Sequence, residues 1–84
     1  MSKLVELPNV GTVLDNLLNQ IGVTSYEELA AMGSKQAFIK IRQKDSGACL
    51  HMLYGLEGAI EGIKDSLLSK EMKEDLKEFY RALI

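Results

Sequence analysis

Apolar positions recur at helical spacing in five stretches of the chain, most of them bounded by glycine or by a capping residue. In the first stretch the spacing is i, i+3, i+4, i+7, i+8 and i+11, at Val10, Val13, Leu14, Leu17, Leu18 and Ile21. This spacing predicts an amphipathic helix over about residues 10–21. Gly22 follows where a left-handed residue commonly ends a helix, and Val23 is expected to pack back against the helix end.

The next two stretches predict short helices over about residues 24–32 and 34–44, separated by Gly33. Two residue pairs fit a capping box at the start of the second helix, and the choice between them stays open: Thr24 with Glu27, and Ser25 with Glu28. The third helix has its apolar face at Ala37, Phe38 and Ile41.

A fourth helix, over about residues 48–62, is apolar around nearly its whole circumference, which is typical of a central buried helix. A fifth, over about residues 70–83, follows Ser69, a favourable N-cap residue. No stretch shows the sustained alternation of a strand. The sequence therefore predicts a compact all-α bundle of five short helices. The fourth should be central, the first two should pair as a hairpin, and the fifth should close the core.

Composition is consistent with a single small domain over residues 1–84. The chain has 84 residues, 46% of them hydrophobic and 26% charged, as in soluble globular proteins. No apolar run approaches the ~20 residues of a membrane span, and the first residues lack the apolar stretch of a signal peptide. Cys49 is the only cysteine, which excludes an internal disulfide and a cysteine metal cluster. We expect a cytoplasmic protein that does not contact membranes.

Two stretches carry a family resemblance. The first reads LPNVG at residues 7–11, with IGVT at 21–24 and EEL at 27–29, and the second, more specific, reads LYGLEGAIEG at 53–62. Together they resemble the C-terminal domain of the TfoX/Sxy family of bacterial competence regulators, over about residues 2–80. The resemblance implies a SAM-like fold related to helix-hairpin-helix DNA-binding domains, and a link to the regulation of DNA uptake genes. Full-length family members carry a separate N-terminal domain, for which this chain has no room, so we expect a domain that stands alone.

One candidate function is weak, sequence-independent binding of DNA. Unpaired amides at a helix N-terminus can bind phosphate, and the candidates here are Asn9, Val10, Gly11 and Thr12. Residues 34–44 contain four basic and no acidic residues, although the whole chain has a net charge of −2. Lys35 and Arg42 fall on one flank of that helix, and Lys40 and Lys44 fall on the other. The alternatives are a plain helix start capped by Asn9 and a solvated helix exterior.

A second candidate function is binding to a protein partner or to a second copy of the chain. Ile39 lies between the two basic flanks, and four residues fall on one side of the fourth helix: His51, Gly55, Gly58 and Gly62. Each interior glycine costs a helix up to ~1 kcal/mol relative to alanine, so a close approach should offset that cost. Another part of the same chain, or a partner at this surface, would supply it.

The residues do not indicate an enzyme. Cys49 and His51 are two positions apart and point to different sides of a helix, so they do not readily share a metal or form a nucleophile pair. We predict that Cys49 is a small buried hydrophobe and that the methionines fill the core. No phosphate-binding loop, nucleophile elbow or metal-ligand spacing occurs. We therefore expect a regulatory interaction module without cofactor, metal or small-molecule substrate, and DNA binding is the alternative.

Overall fold

The computed structural model describes residues 3–83, which fold into five α-helices and two short 3₁₀ helices. In chain order these are η1 (Lys3–Glu6), α1 (Thr12–Gln20), α2 (Tyr26–Met32), α3 (Ser34–Lys44), α4 (Leu50–Glu61), η2 (Asp65–Leu67) and α5 (Lys70–Leu83). Within residues 3–83 there is no strand, which confirms the all-α prediction. The bounds of α3 and α5 agree with those predicted, and α1, α2 and α4 are shorter by up to two residues at an end. The two 3₁₀ helices were not predicted.

The fourth helix lies at the centre of the domain, as predicted. It contacts α2, α3, α5 and η2, and Leu53, Leu56 and Ala59 are fully buried. The fifth helix covers α4 from outside and buries Leu76. The predicted hairpin pairing of α1 with α2 is not the main contact of either helix, because both pack chiefly on α3. The reason is that α2 is short and buries only Leu29, so it contributes a single contact point to the core.

Two local motifs set the ends of the early helices as the sequence predicts. After α1, the backbone N–H of Val23 donates to the carbonyl of Leu18 at 2.9 Å, and Gly22 has a φ of +88°. This is the Schellman arrangement, and Val23 is fully buried against the helix end. Before α2, Ser25 is the N-cap, since its Oγ accepts from the Glu28 N–H at 3.2 Å. Of the two predicted pairs, Ser25 and Glu28 is therefore the one that caps α2.

The Glu28 carboxylate completes that cap. Its Oε1 accepts from the backbone N–H of Thr24 at 2.9 Å and from the Thr24 hydroxyl at 2.8 Å. These two bonds, with smaller contributions from Ser25, favour the ionised form and lower the pKa of Glu28.

Two polar contacts attach α2 and α3 to the central helix. Tyr26 donates its hydroxyl to the carbonyl of Ile60 at 2.7 Å, and Ser34, which is buried, donates to Oε1 of Glu57 at 2.7 Å. Glu61 lies one turn after Glu57, and their hydrogen bond, with desolvation and like-charge repulsion, raises the pKa of Glu61. Among the described helices, none has the length and apolar character required to cross a membrane.

Candidate functional site

Asn9 joins the turn before α1 to the middle of α4 and to the residues that follow α4. Its backbone is left-handed, with a φ of +69°. Its side-chain Nδ2 donates to the carbonyl of Ile63 at 3.0 Å and to that of Gly55 at 3.4 Å, while Oδ1 accepts from the Asp65 N–H at 3.1 Å. The alternative interpretation, in which Asn9 caps α1, is therefore wrong. The N-cap is Gly11, which has no side chain for capping. We call Asn9 and these three partners the Asn9 clamp.

Two glycines of α4 make room for the Asn9 clamp. A Cβ on Gly58 would lie 2.5 Å from Asn9 Nδ2 and 2.7 Å from the carbonyl oxygen of Ile63, whereas one on Gly55 would lie 3.4 Å from Asn9 Cβ. Both glycines are buried. The close approach of Asn9, which belongs to the same chain, therefore compensates for their low helix propensity. Gly62 is exposed and left-handed, with a φ of +77°, and it ends α4.

An open groove of about 560 Å³ lies beside the Asn9 clamp, between the first turn of α1 and the first turns of α4. Its α1 side is formed by Val13 and Leu14, and its α4 side by Cys49 and Met52. Val13 is 70% exposed, the largest exposed fraction of any large hydrophobic residue described. We call this the α1/α4 groove. An apolar cleft of this size with few polar groups is the usual form of a binding site.

Cys49 is exposed in this groove, so the prediction of a buried cysteine is wrong. The reason is its position. It is the N-cap residue of α4, with extended backbone, and lies before the helical turns whose apolar sides face the core. Met52 is half-buried and also lines the groove, so it is not solely a core filler.

The groove has one charged edge. His51 is exposed, and its Nε2 lies 3.3 Å from Oδ2 of Asp65. Among the described residues that line the groove, Asp65 is the only acidic one, and none is a lysine or arginine. Three of the predicted phosphate contacts, Asn9, Gly11 and Thr12, line the same groove. A phosphate there would meet the Asp65 carboxylate, with His51 as the one basic side chain among the described lining residues.

The basic residues of α3 are divided between two environments. Lys35 forms an ion pair with Asp75 of α5, with Nζ 2.7 Å from Oδ2, and lies 5.5 Å from the ring centroid of Phe79. Arg42 lies 6.0 Å from the ring centroid of Tyr80. This flank of α3 therefore lies against α5, and both cations have partners within the chain.

The other flank of α3 stays open. Lys40 and Lys44 are exposed, and within residues 3–83 neither forms an ion pair. Ile39 is half-buried and lies beside Leu83, the last described residue of α5. None of the four predicted basic contacts lines the α1/α4 groove, where three residues of the predicted phosphate-binding turn lie.

Sequence reasoning missed the exposure of Val13 and the position of Asp65. At about 100° per residue, Val13 lies roughly 80° from the centre of the apolar stripe of α1, and this offset was the available signal. Asp65 gave no signal, because its position depends on how η2 packs beneath α4.

Comparison with known proteins identifies the family. The family model of the TfoX C-terminal domain matches residues 1–80. The chain belongs to the TfoX C-terminal domain family. Protein Sxy of Escherichia coli K12 is 31% identical over 81 residues, which are 96% of this chain and 39% of Sxy. DNA transformation protein TfoX of Haemophilus influenzae is 28% identical over 76 residues, which are 90% of this chain and 35% of TfoX. This TfoX C-terminal domain thus spans less than two fifths of either relative.

Two crystal structures share the fold closely. Both are of a Listeria monocytogenes protein described as uncharacterised or of unknown function. The triclinic form is 44% identical with a TM-score of 0.94, and the match covers 95% of this chain and 91% of that chain. The tetragonal form is 43% identical with a TM-score of 0.94, and the match covers 96% of this chain and 99% of that chain.

Proposed function

We propose that this TfoX C-terminal domain is a non-enzymatic interaction module in the regulation of DNA uptake, and that it binds a protein through the α1/α4 groove. The observation that carries the proposal is the open apolar groove with Val13 70% exposed at its edge. Exposed apolar surface of this kind marks interaction sites, because its burial removes apolar area from water. The regulatory part of the proposal follows the family and the printed name of the relative from Haemophilus influenzae.

Charge favours a protein partner over DNA. The chain has a net charge of −2, and Lys35 and Arg42 are engaged by α5. Lys40 and Lys44 are the cations of the basic helix that have no such partner within residues 3–83, and few neutralised phosphates give weak binding. Asp65 further disfavours phosphate at the turn before α1. Self-association, the other form of the interaction hypothesis, would place a second copy at the groove rather than at Gly55 and Gly58, which lie beneath Asn9.

An exchange of domains tests the regulatory proposal. In Haemophilus influenzae, the region of TfoX that matches this chain is replaced by the 84-residue chain, and transformation frequency is measured. We expect more transformants than in a strain without TfoX. Val13→Asp in the chimera should lower the frequency at least about tenfold, because a charge in place of an apolar side chain that the partner covers costs at least the ~1.4 kcal/mol of a tenfold change.

The matched control is Leu67→Asp. Leu67 is 67% exposed, nearly as much as Val13, but lies in η2 outside the groove. The control chimera should transform as the unmodified chimera does. Equal frequencies for the two aspartate variants would contradict binding through the groove, and a chimera no better than the strain without TfoX would contradict the regulatory role.

A second measurement addresses DNA directly. We expect no change in the fluorescence anisotropy of labelled duplex DNA with up to ~100 μM protein at ~50 mM salt, a concentration at which weak nonspecific binding is detectable. Binding that is lost at ~200 mM salt, and that weakens with Lys40→Glu but not with the control Lys70→Glu, would instead support the DNA-binding alternative.

A further inference from the structure

We infer that the occupant of the α1/α4 groove is the polypeptide that precedes this domain in its longer relatives, which would insert a few apolar side chains between α1 and α4. For this chain, the occupant is a protein segment equivalent to that preceding region, on the same or on another polypeptide. The inference rests on the proposed function of the groove and names its partner.

The first support is the amount of chain that the relatives add. The matched region is 39% of Sxy and 35% of TfoX, so roughly 60% of each relative lies outside it. Because the matched family is a C-terminal domain, that additional chain lies chiefly on the N-terminal side. A second folded unit of this size is the natural candidate to cover an apolar surface that the domain leaves open.

The second support is the path by which the chain enters the domain. Leu4 and Val10 are buried, and the turns between them are closed by bonds from the Leu7 N–H to the Leu4 carbonyl and from the Val10 N–H to the Leu7 carbonyl. The next residues, from Gly11 to Val13, line the groove. A preceding domain would therefore join a segment that is packed on this domain beside the groove. Where the connection to that segment is short and flexible, the effective concentration reaches the millimolar range. A contact of a few side chains then suffices for occupancy.

The third support is the chemistry of the groove. Its walls are the side chains of Val13, Leu14, Cys49 and Met52, and Asp65 at one edge is the only Asp, Glu, Lys or Arg among the described residues that line it. A volume of about 560 Å³ suits a few apolar side chains from one loop or one helix face. Anionic ligands are disfavoured by Asp65, so the groove chemistry fits an apolar protein segment.

Cys49 supplies a native probe for this occupancy, since its thiol is exposed in the groove. The rate of alkylation by iodoacetamide is measured for the isolated 84-residue chain and for the purified TfoX chimera, at equal protein concentration. The alkylated fraction of the tryptic peptide of residues 45–64, which contains Cys49, is followed over time by mass spectrometry. We expect Cys49 to react at least about tenfold more slowly in the chimera, because a domain tethered at millimolar effective concentration keeps a weak site occupied. Val13→Asp should restore most of the rate, and Leu67→Asp should not.

Each contrary outcome has a definite meaning. Equal alkylation rates in the chimera and the isolated chain would overturn the inference. Protection that also appears in the isolated chain and grows with its concentration would assign the groove to a second copy and would equally overturn it. A chimera that transforms and is sensitive to Val13→Asp, yet leaves Cys49 reactive, would retain the proposed function and reject only this occupant. Protection of Cys49 without any transformation would retain the occupant and reject the regulatory role.

Discussion

Gly58→Ala is expected to destabilise the domain by about 2–3 kcal/mol, although alanine is the better helix former. The added Cβ would lie 2.5 Å from Asn9 Nδ2 and 2.7 Å from the backbone carbonyl oxygen of Ile63. The carbonyl belongs to the main chain at the end of α4, so the clash is relieved only by a backbone shift. The midpoint of thermal unfolding should fall by roughly 10–20 °C in a domain of this size, as measured by circular dichroism.

Gly55→Ala is the matched control, one turn earlier in the same helix. Its Cβ would lie 3.4 Å from Asn9 Cβ, an ordinary contact, so the gain in helix propensity of up to ~1 kcal/mol should be retained. We expect an unchanged or higher melting temperature for this variant. If Gly58→Ala proved as stable as Gly55→Ala, the close approach of the Asn9 clamp to α4 would be wrong.

Asn9→Ala is expected to cost about 2 kcal/mol, or roughly 8–16 °C in melting temperature. The variant removes the donor to the Ile63 carbonyl and the acceptor for the Asp65 N–H, each worth about 1 kcal/mol net. It also places a Cβ-bearing residue without a polar side chain at a φ of +69°, which costs a further ~1 kcal/mol. Asn9 is exposed, so water replaces part of the lost bonding and the net cost falls from about 3 to about 2 kcal/mol.

Asn9→Gly separates the two contributions. Glycine adopts positive φ freely, so this variant loses only the side-chain hydrogen bonds and should melt above Asn9→Ala. The Gly58→Ala variant should also cost less when combined with Asn9→Gly than alone, because the amide nitrogen that its Cβ meets is gone. Additive effects of the two substitutions, or an Asn9→Ala variant as stable as the parent, would contradict the clamp.

The helices and their ends were largely determined by the sequence alone. Helical periodicity is a local property, and so are the signals at the helix ends, because a cap bonds atoms within a few residues of itself. Ser69 illustrates this. Its Oγ accepts from the Met72 N–H at 3.1 Å at the start of α5, as its position predicts. Gly22 likewise ends α1 through atoms no more than five residues away. The central place of α4 also followed from the sequence, since a helix that is apolar all round is stable only when buried.

The candidate site was decided by the tertiary structure. The three side-chain hydrogen bonds of Asn9 join residues 46, 54 and 56 positions apart, so no local pattern encodes them. The same holds for Lys35 and Arg42, whose availability to a partner depended on whether α5 would pack across them. Exposure of Val13 and Cys49 depended on where α4 left α1 uncovered. Periodicity and capping are properties of one segment of chain. Which face of a helix stays open depends on every other helix that packs against it, and the folded arrangement alone supplies that information.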